Sequence, residues 1–121
     1  MKKFIILGSQ KGVRGSVDIS GAKNSCLPLM AASILFDGKV ILKNVPFVDD
    51  VKTMASLLKS LGSIVESSEK KKLIKIINKK KHKLLVKYKY ISTMRAGVLA
   101  MGALLGKYSK CSTALSGGCS L

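Results

Sequence analysis

The chain has 121 residues, 47% of them hydrophobic, and a formal charge of +16. That composition excludes a largely disordered chain and fits one domain, or part of a larger one. The longest apolar stretch, residues 96–106, is well short of the ~18–20 residues that cross a bilayer, so no membrane partner is expected.

In chain order, residues 2–7 ("KKFIIL") and 15–19 ("GSVDI") read as strands, with Gly8, Gly12 and Gly15 punctuating between them. Residues 24–36 read as a helix, with Leu27, Met30, Ala31, Ile34 and Leu35 apolar and Pro28 near the first turn. Gly38 ends it, and "KVILKNV" alternates as a strand. The next helix is capped by Asp49 or Asp50, repeats Val51, Met54, Leu57, Leu58 and Leu61 at helical spacing, and stops at Gly62. "SIVES" and "KLIKII" read as a strand pair joined by a charged turn around residues 68–71, and "NKKKHK" as a loop or hairpin tip. A third helix starts at a Ser92 cap and carries Met94, Val98, Met101 and Leu105 on one stripe. Gly97, Gly102 and Gly106 also sit in it, each costing ~1 kcal/mol relative to alanine, which makes sense where another backbone packs close. "KCSTAL" is a last strand and "SGGCSL" the loop after it. The expected order is β-β-α-β-α-β-β-α-β, a mixed α/β alternation. Residues 24–78 form one supersecondary unit and the third helix begins a second.

The charge is unevenly made. The basic residues are 20 Lys against 2 Arg, and ten of the lysines lie between residues 70 and 89 without an acid among them. Nucleic-acid readers lean on arginine, and this run offers only Tyr88 and Tyr90 for stacking. The expectation is a solvated lysine face without a nucleic-acid partner; the alternative is a basic nucleic-acid-binding module. His82, within the run, is expected to be solvated. The three cysteines lack metal-ligand spacing, so free thiols and no metal are expected. Cys26 and Cys111 sit on apolar segments as core residues. The start "MKKFIILGSQ" has two lysines and a short apolar run, but Gly8, Ser9 and Gln10 end the run and no cleavage site follows. A cytoplasmic protein is expected.

Three stretches could carry chemistry. In "SGAKNS", Lys23 and Asn24 stand at a helix start, where free N–H groups and the helix dipole favour anions. A turn with an asparagine cap and a solvated lysine explains the same residues. In "STMRAG", Arg95 lies in the first turn of an otherwise apolar helix, either buried against a carboxylate or aimed at an anionic ligand. In "LSGGCSL", Gly117 and Gly118 let the backbone approach a ligand closely, and the Cys119 thiol can donate a proton or, near a cation, attack; an inert half-exposed thiol is the alternative.

Taken in order, "SGAKNSCLPLMAASIL", "VPFVDDVKTMASLLKSLG", "TMRAGVLAMGALL" and "SGGC" resemble the N-terminal part of the UDP-N-acetylglucosamine 1-carboxyvinyltransferases, an enolpyruvyl transferase family. The resemblance covers the whole chain. It implies part of an inside-out α/β barrel built from repeated α/β units. Residues 1–20 would be N-terminal strands, the first pairing with a second domain, and 21–121 an incomplete first domain. It implies transfer of enolpyruvyl from phosphoenolpyruvate to the 3-hydroxyl of UDP-N-acetylglucosamine, the first committed step of peptidoglycan synthesis. Lys23 and Asn24 would bind phosphoenolpyruvate, Arg95 the nucleotide sugar, and Cys119 would be the general acid that fosfomycin alkylates. No cofactor is implied. The family usually has proline where Ser116 stands, so the loop here would be less stiff. Family members are several-fold longer. The isolated chain is therefore expected to be inactive, a decayed or split gene product, or a part complemented by a C-terminal polypeptide.

Overall fold

In the computed structural model, which describes residues 3–8, 12–93 and 97–113, the first regular element is the helix α1, Lys23–Ala32, extended by a 3-10 turn, Ser33–Leu35. The strand β1, Gly38–Lys43, the helix α2, Asp49–Leu61, and the strands β2, Ile64–Ser68, and β3, Leu73–Asn78, follow. The short strand β4, Leu85–Val86, precedes helices α3, Tyr88–Thr93, and α4, Gly97–Tyr108, and β5, Ser112–Thr113, is last.

Strands β1, β3 and β2 form one antiparallel sheet in that order, with Val40 and Val65 both opposite Ile76. Side chains alternate across a strand, so β3 buries Ile74, Ile76 and Asn78 on one face and half-exposes Leu73, Lys75 and Ile77 on the other. The buried face meets α2, whose Val51, Met54, Leu57, Leu58 and Leu61 are all fully buried. That is the helical stripe the sequence predicts. The expected supersecondary unit over residues 24–78 is therefore present as α1-β1-α2-β2-β3.

Several expectations need correction. Residues 3–8 and 12–20 form no strand, and Phe4 is 94% exposed. An apolar pattern makes a strand only where an edge accepts its N–H and C=O groups, and none of the described strands pairs with these residues. Pro28 lies in the second turn of α1, not the first, where it removes the hydrogen bond that would reach the Asn24 carbonyl. Neither Asp49 nor Asp50 caps α2. Val48 holds the cap position, and the two acids occupy the first turn, where they complement the helix dipole.

The third expected helix is divided differently. Ser92 lies within α3, not at a cap, and α4 is described from Gly97 onward. The stripe on α4 is rotated: Gly97, Ala100, Ala103 and Leu104 are buried, Met101 is half-buried, and Val98 and Leu105 are about half exposed; Met94 lies outside the described residues. Small residues take the inner face because neighbouring backbone packs close. A Cβ on Gly97 would come within 2.6 Å of the Tyr90 carbonyl oxygen. That reason does not extend to Gly102, which has open space, or to Gly106, which meets only the Leu35 side chain. Within the described residues the last strand covers Ser112–Thr113, and it pairs in parallel with β4, which alternation alone does not reveal. Residues 114–121 of the expected strand and loop lie outside the described residues.

Nine of the ten lysines between residues 70 and 89 are exposed, as a solvated face requires. The tenth, Lys75, is half-buried and pairs with Glu66 across the sheet at 2.9 Å. His82 is the exception to the solvated reading: it is 8% exposed. Its ring nitrogens lie 2.7 Å from the Tyr108 hydroxyl and 3.2 Å from Asn78 Oδ1 and Ser63 Oγ. A buried polar group needs such partners, and the loop folds inward to supply them.

Candidate functional site at the start of helix α1

The backbone before α1 is held against the end of β1. Asn44, with φ +56°, donates a 3.4 Å hydrogen bond from its side chain to the Ile19 carbonyl. A Cβ on Gly21 would overlap the Asn44 carbonyl oxygen, so glycine is needed there. Helix α1 then begins at Lys23. The Ala22 carbonyl accepts from the Ser25 and Cys26 N–H groups at 3.2 and 3.0 Å. Asn24 does not cap the helix: Ala22 holds that position and no side chain caps it. The positive end of α1 is therefore open, with Lys23 and Asn24 both exposed on its first turn.

The Lys23 ammonium pairs with the Asp50 carboxylate at 2.8 Å. Asp50 is the second residue of α2, so the pair joins the N-terminal ends of two helices. Both side chains are partly exposed, 47% and 39%. A pair of that kind is worth only about 0–1 kcal/mol to the fold. Between the start of α1 and the end of β1 lies a cavity of about 170 Å³ lined in part by Gly21, Ser25, Cys26, Lys43 and Asn44; neither Lys23 nor Asp50 lines it. The sequence reading missed Asp50 here because an acid at a helix start reads first as a cap.

Cys26 is buried in the core, as expected, and burial pushes its thiol up from the usual value. Cys111 is half-buried, packs against the core, and shifts the same way for the same reason. Both thiols are thus held protonated and poorly nucleophilic. Arg95 and Cys119 lie outside the described residues. Of the four residues singled out in the sequence, the structure describes Lys23 and Asn24, adjacent on one helix turn. Among the described residues no helix is long and apolar enough to cross a membrane.

Residues 7–121 match the family of EPSP synthase (3-phosphoshikimate 1-carboxyvinyltransferase). Among curated proteins, a UDP-N-acetylglucosamine 1-carboxyvinyltransferase of Pelagibacter ubique is 46% identical over 121 residues, covering 100% of this chain and 28% of that protein. Proteins of the same name from Rickettsia canadensis and Thermodesulfovibrio yellowstonii are 43% and 40% identical, again over 100% of this chain and over 29% and 28% of theirs. The chain thus spans under a third of the length of these relatives. Among solved structures, the enolpyruvyl transferase NikO from Streptomyces tendae superposes with a TM-score of 0.69 at 15% identity, over 78% of this chain and 22% of that one. At that identity the likeness is one of fold.

Proposed function

The chain belongs to the EPSP synthase family of enolpyruvyl transferases, and on that premise we propose that it carries the N-terminal part of a UDP-N-acetylglucosamine 1-carboxyvinyltransferase. The observation that carries this reading is identity of 46% over all 121 residues with a protein of that name. The open start of α1, with Lys23 on its first turn, supports it chemically, since an ammonium and free N–H groups suit a phosphate and a carboxylate.

The reaction in this reading is addition and elimination. The sugar 3-hydroxyl gives up its proton to a base and adds to C2 of phosphoenolpyruvate while a proton is delivered to C3, giving a tetrahedral intermediate. Loss of phosphate, with return of a proton from C3, leaves the enolpyruvyl ether. Lys23 and Asn24 bind phosphoenolpyruvate, where the lysine offsets charge on the departing phosphate. Arg95 contacts the anionic nucleotide sugar. Cys119 gives the proton to C3, and the same thiol is the point of attack for fosfomycin. The setting is cytoplasmic and the pathway peptidoglycan synthesis, with its links to cell shape and division.

The relatives are more than three times as long, so the rest of the site is supplied by the remainder of such a length, in the same polypeptide or in a complementing one.

The test is phosphate release from phosphoenolpyruvate and UDP-N-acetylglucosamine. The purified 121-residue chain is expected to give none alone. Joined to or mixed with the downstream part, it is expected to turn over. Cys119→Ala is then expected to abolish turnover and Lys23→Gln to lower it by about 10²-fold or more. Turnover by the 121-residue chain alone that Cys119→Ala abolishes would overturn the need for the downstream part. Full activity of Cys119→Ala in the completed enzyme would overturn the residue's role.

A further inference from the structure

We propose that Asp50 is a positioning residue for Lys23: from the start of α2 its carboxylate holds the lysine ammonium at the open end of α1, where an anionic group would meet both. The inference rests on the reading of Lys23 as a phosphoenolpyruvate-binding residue.

The geometry is specific. The contact is 2.8 Å and bridges residues 27 apart in sequence. Acids are scarce, with 6 Asp and Glu against 22 Lys and Arg. Only four ion pairs join described residues, and one of them is spent on Lys23. The pair is too exposed to hold the fold together. Helix α2 does not require it either, because Asp49 already places a carboxylate in the same first turn. What Asp50 alone does is reach Lys23. Gly21, pressed against Asn44, sets the path of the backbone, and Asp50 sets the end of a side chain with four rotatable bonds. Ordering that chain before an anion arrives removes a cost from binding. An ammonium has three donors, so one stays on Asp50 while the others turn to the ligand.

The test uses the complete gene product with Asp50→Asn, Asp50→Glu, Lys23→Gln and the Asp50→Asn/Lys23→Gln pair. Two quantities are read: the Kd for phosphoenolpyruvate, and the rate at which acetic anhydride acetylates Lys23, followed by peptide mass spectrometry. Asp50→Asn is expected to raise the Kd about three- to tenfold, a coupling usual for residues in contact. Asp50→Glu should recover part of the loss, and Asp50→Asn should change nothing further once Lys23 is Gln. Lys23 should be acetylated faster in Asp50→Asn. Tighter binding in both backgrounds would overturn the proposal by making Asp50 a mere repulsive charge. Equal losses in both backgrounds would overturn it in favour of a fold effect, and so would an unchanged acetylation rate. If the unsubstituted protein does not bind phosphoenolpyruvate, the functional reading fails. The acetylation rates then decide by themselves whether Asp50 holds Lys23.

Discussion

His82 is tied to three elements at once: to the Tyr108 hydroxyl at the end of α4, to Asn78 at the end of β3, and to Ser63 just after α2. Ser63 donates to Asn78 Oδ1 at 2.7 Å, and Asn78 Nδ2 donates to the Phe36 carbonyl at 3.3 Å. The network is satisfied by a neutral ring whose Nε2–H donates to Asn78 and whose Nδ1 accepts from Tyr108, a tautomer assigned from these partners. Burial lowers the His82 pKa below 6.5, and the Lys107 charge adds to that, against an opposing pull from Asp37. Between 6.5 and the lower folded value, the unfolded chain binds the extra proton. Stability from His82 is therefore complete above 6.5 and is lost as pH falls through that window. His82→Gln is expected to lower the urea midpoint at neutral pH and to flatten its fall as pH drops below 6.5. An unchanged acid slope would show that His82 does not titrate across that window. Asp37, held below its usual value by Lys107, acts at still lower pH, below about 3.8.

Helix α2 and helix α4 show how far local pattern reaches. On α2 every large apolar residue named from spacing is buried, and the helix stops at Gly62, whose φ of 107° lies in the left-handed region. The Gly62 N–H donates to the Lys59 carbonyl at 3.0 Å and the Ser63 N–H to the Leu58 carbonyl at 3.1 Å, a Schellman closure. Gly62→Ala is expected to cost about 1–2 kcal/mol in chemical denaturation, because a Cβ is strained at that φ. A neutral result would show that the closure relaxes. On α4 the period is right and the phase is wrong. Large residues carry the burial signal in a sequence, but here Gly97 and Ala100 are buried, and at Gly97 the α3 backbone passes close beside the glycine. The first turn of α1 shows the same division: Lys23 and Asn24 were legible as a polar helix start, whereas the partner that fixes Lys23 sits on another helix.

At the scale of the molecule, one core joins α1, α2, the inner face of the sheet and the buried side of α4. Leu58 is fully buried within it. Leu58→Ala is expected to cost about 2–5 kcal/mol, seen as a lower urea midpoint, since the close-packed surroundings relax only in part. Apolar surface also remains outside this core. Leu29, Leu35, Leu99 and Leu105 are about half exposed, and Leu35 and Leu99 line a groove of about 270 Å³ between α1 and α4. Ile5, Ile6 and Leu7 are almost fully exposed. Contiguous exposed apolar residues of this kind mark surfaces for further contacts, and the relatives carry more than twice as much further chain.

The sequence by itself determined the family and most of the elements between residues 24 and 78, since their signals are local: an apolar period, a stop glycine and a charged turn. It also picked out Lys23 and Asn24 as a polar pair at a helix start. Only the tertiary structure decided that Asp50 meets Lys23, that His82 turns inward, that α4 presents its small residues to the core, and that residues 3–8 form no strand. Each of these depends on what lies across a gap in space between residues far apart in the chain. Local propensity carries no information about such a neighbour, and the neighbour's charge, carbonyl or edge sets the outcome.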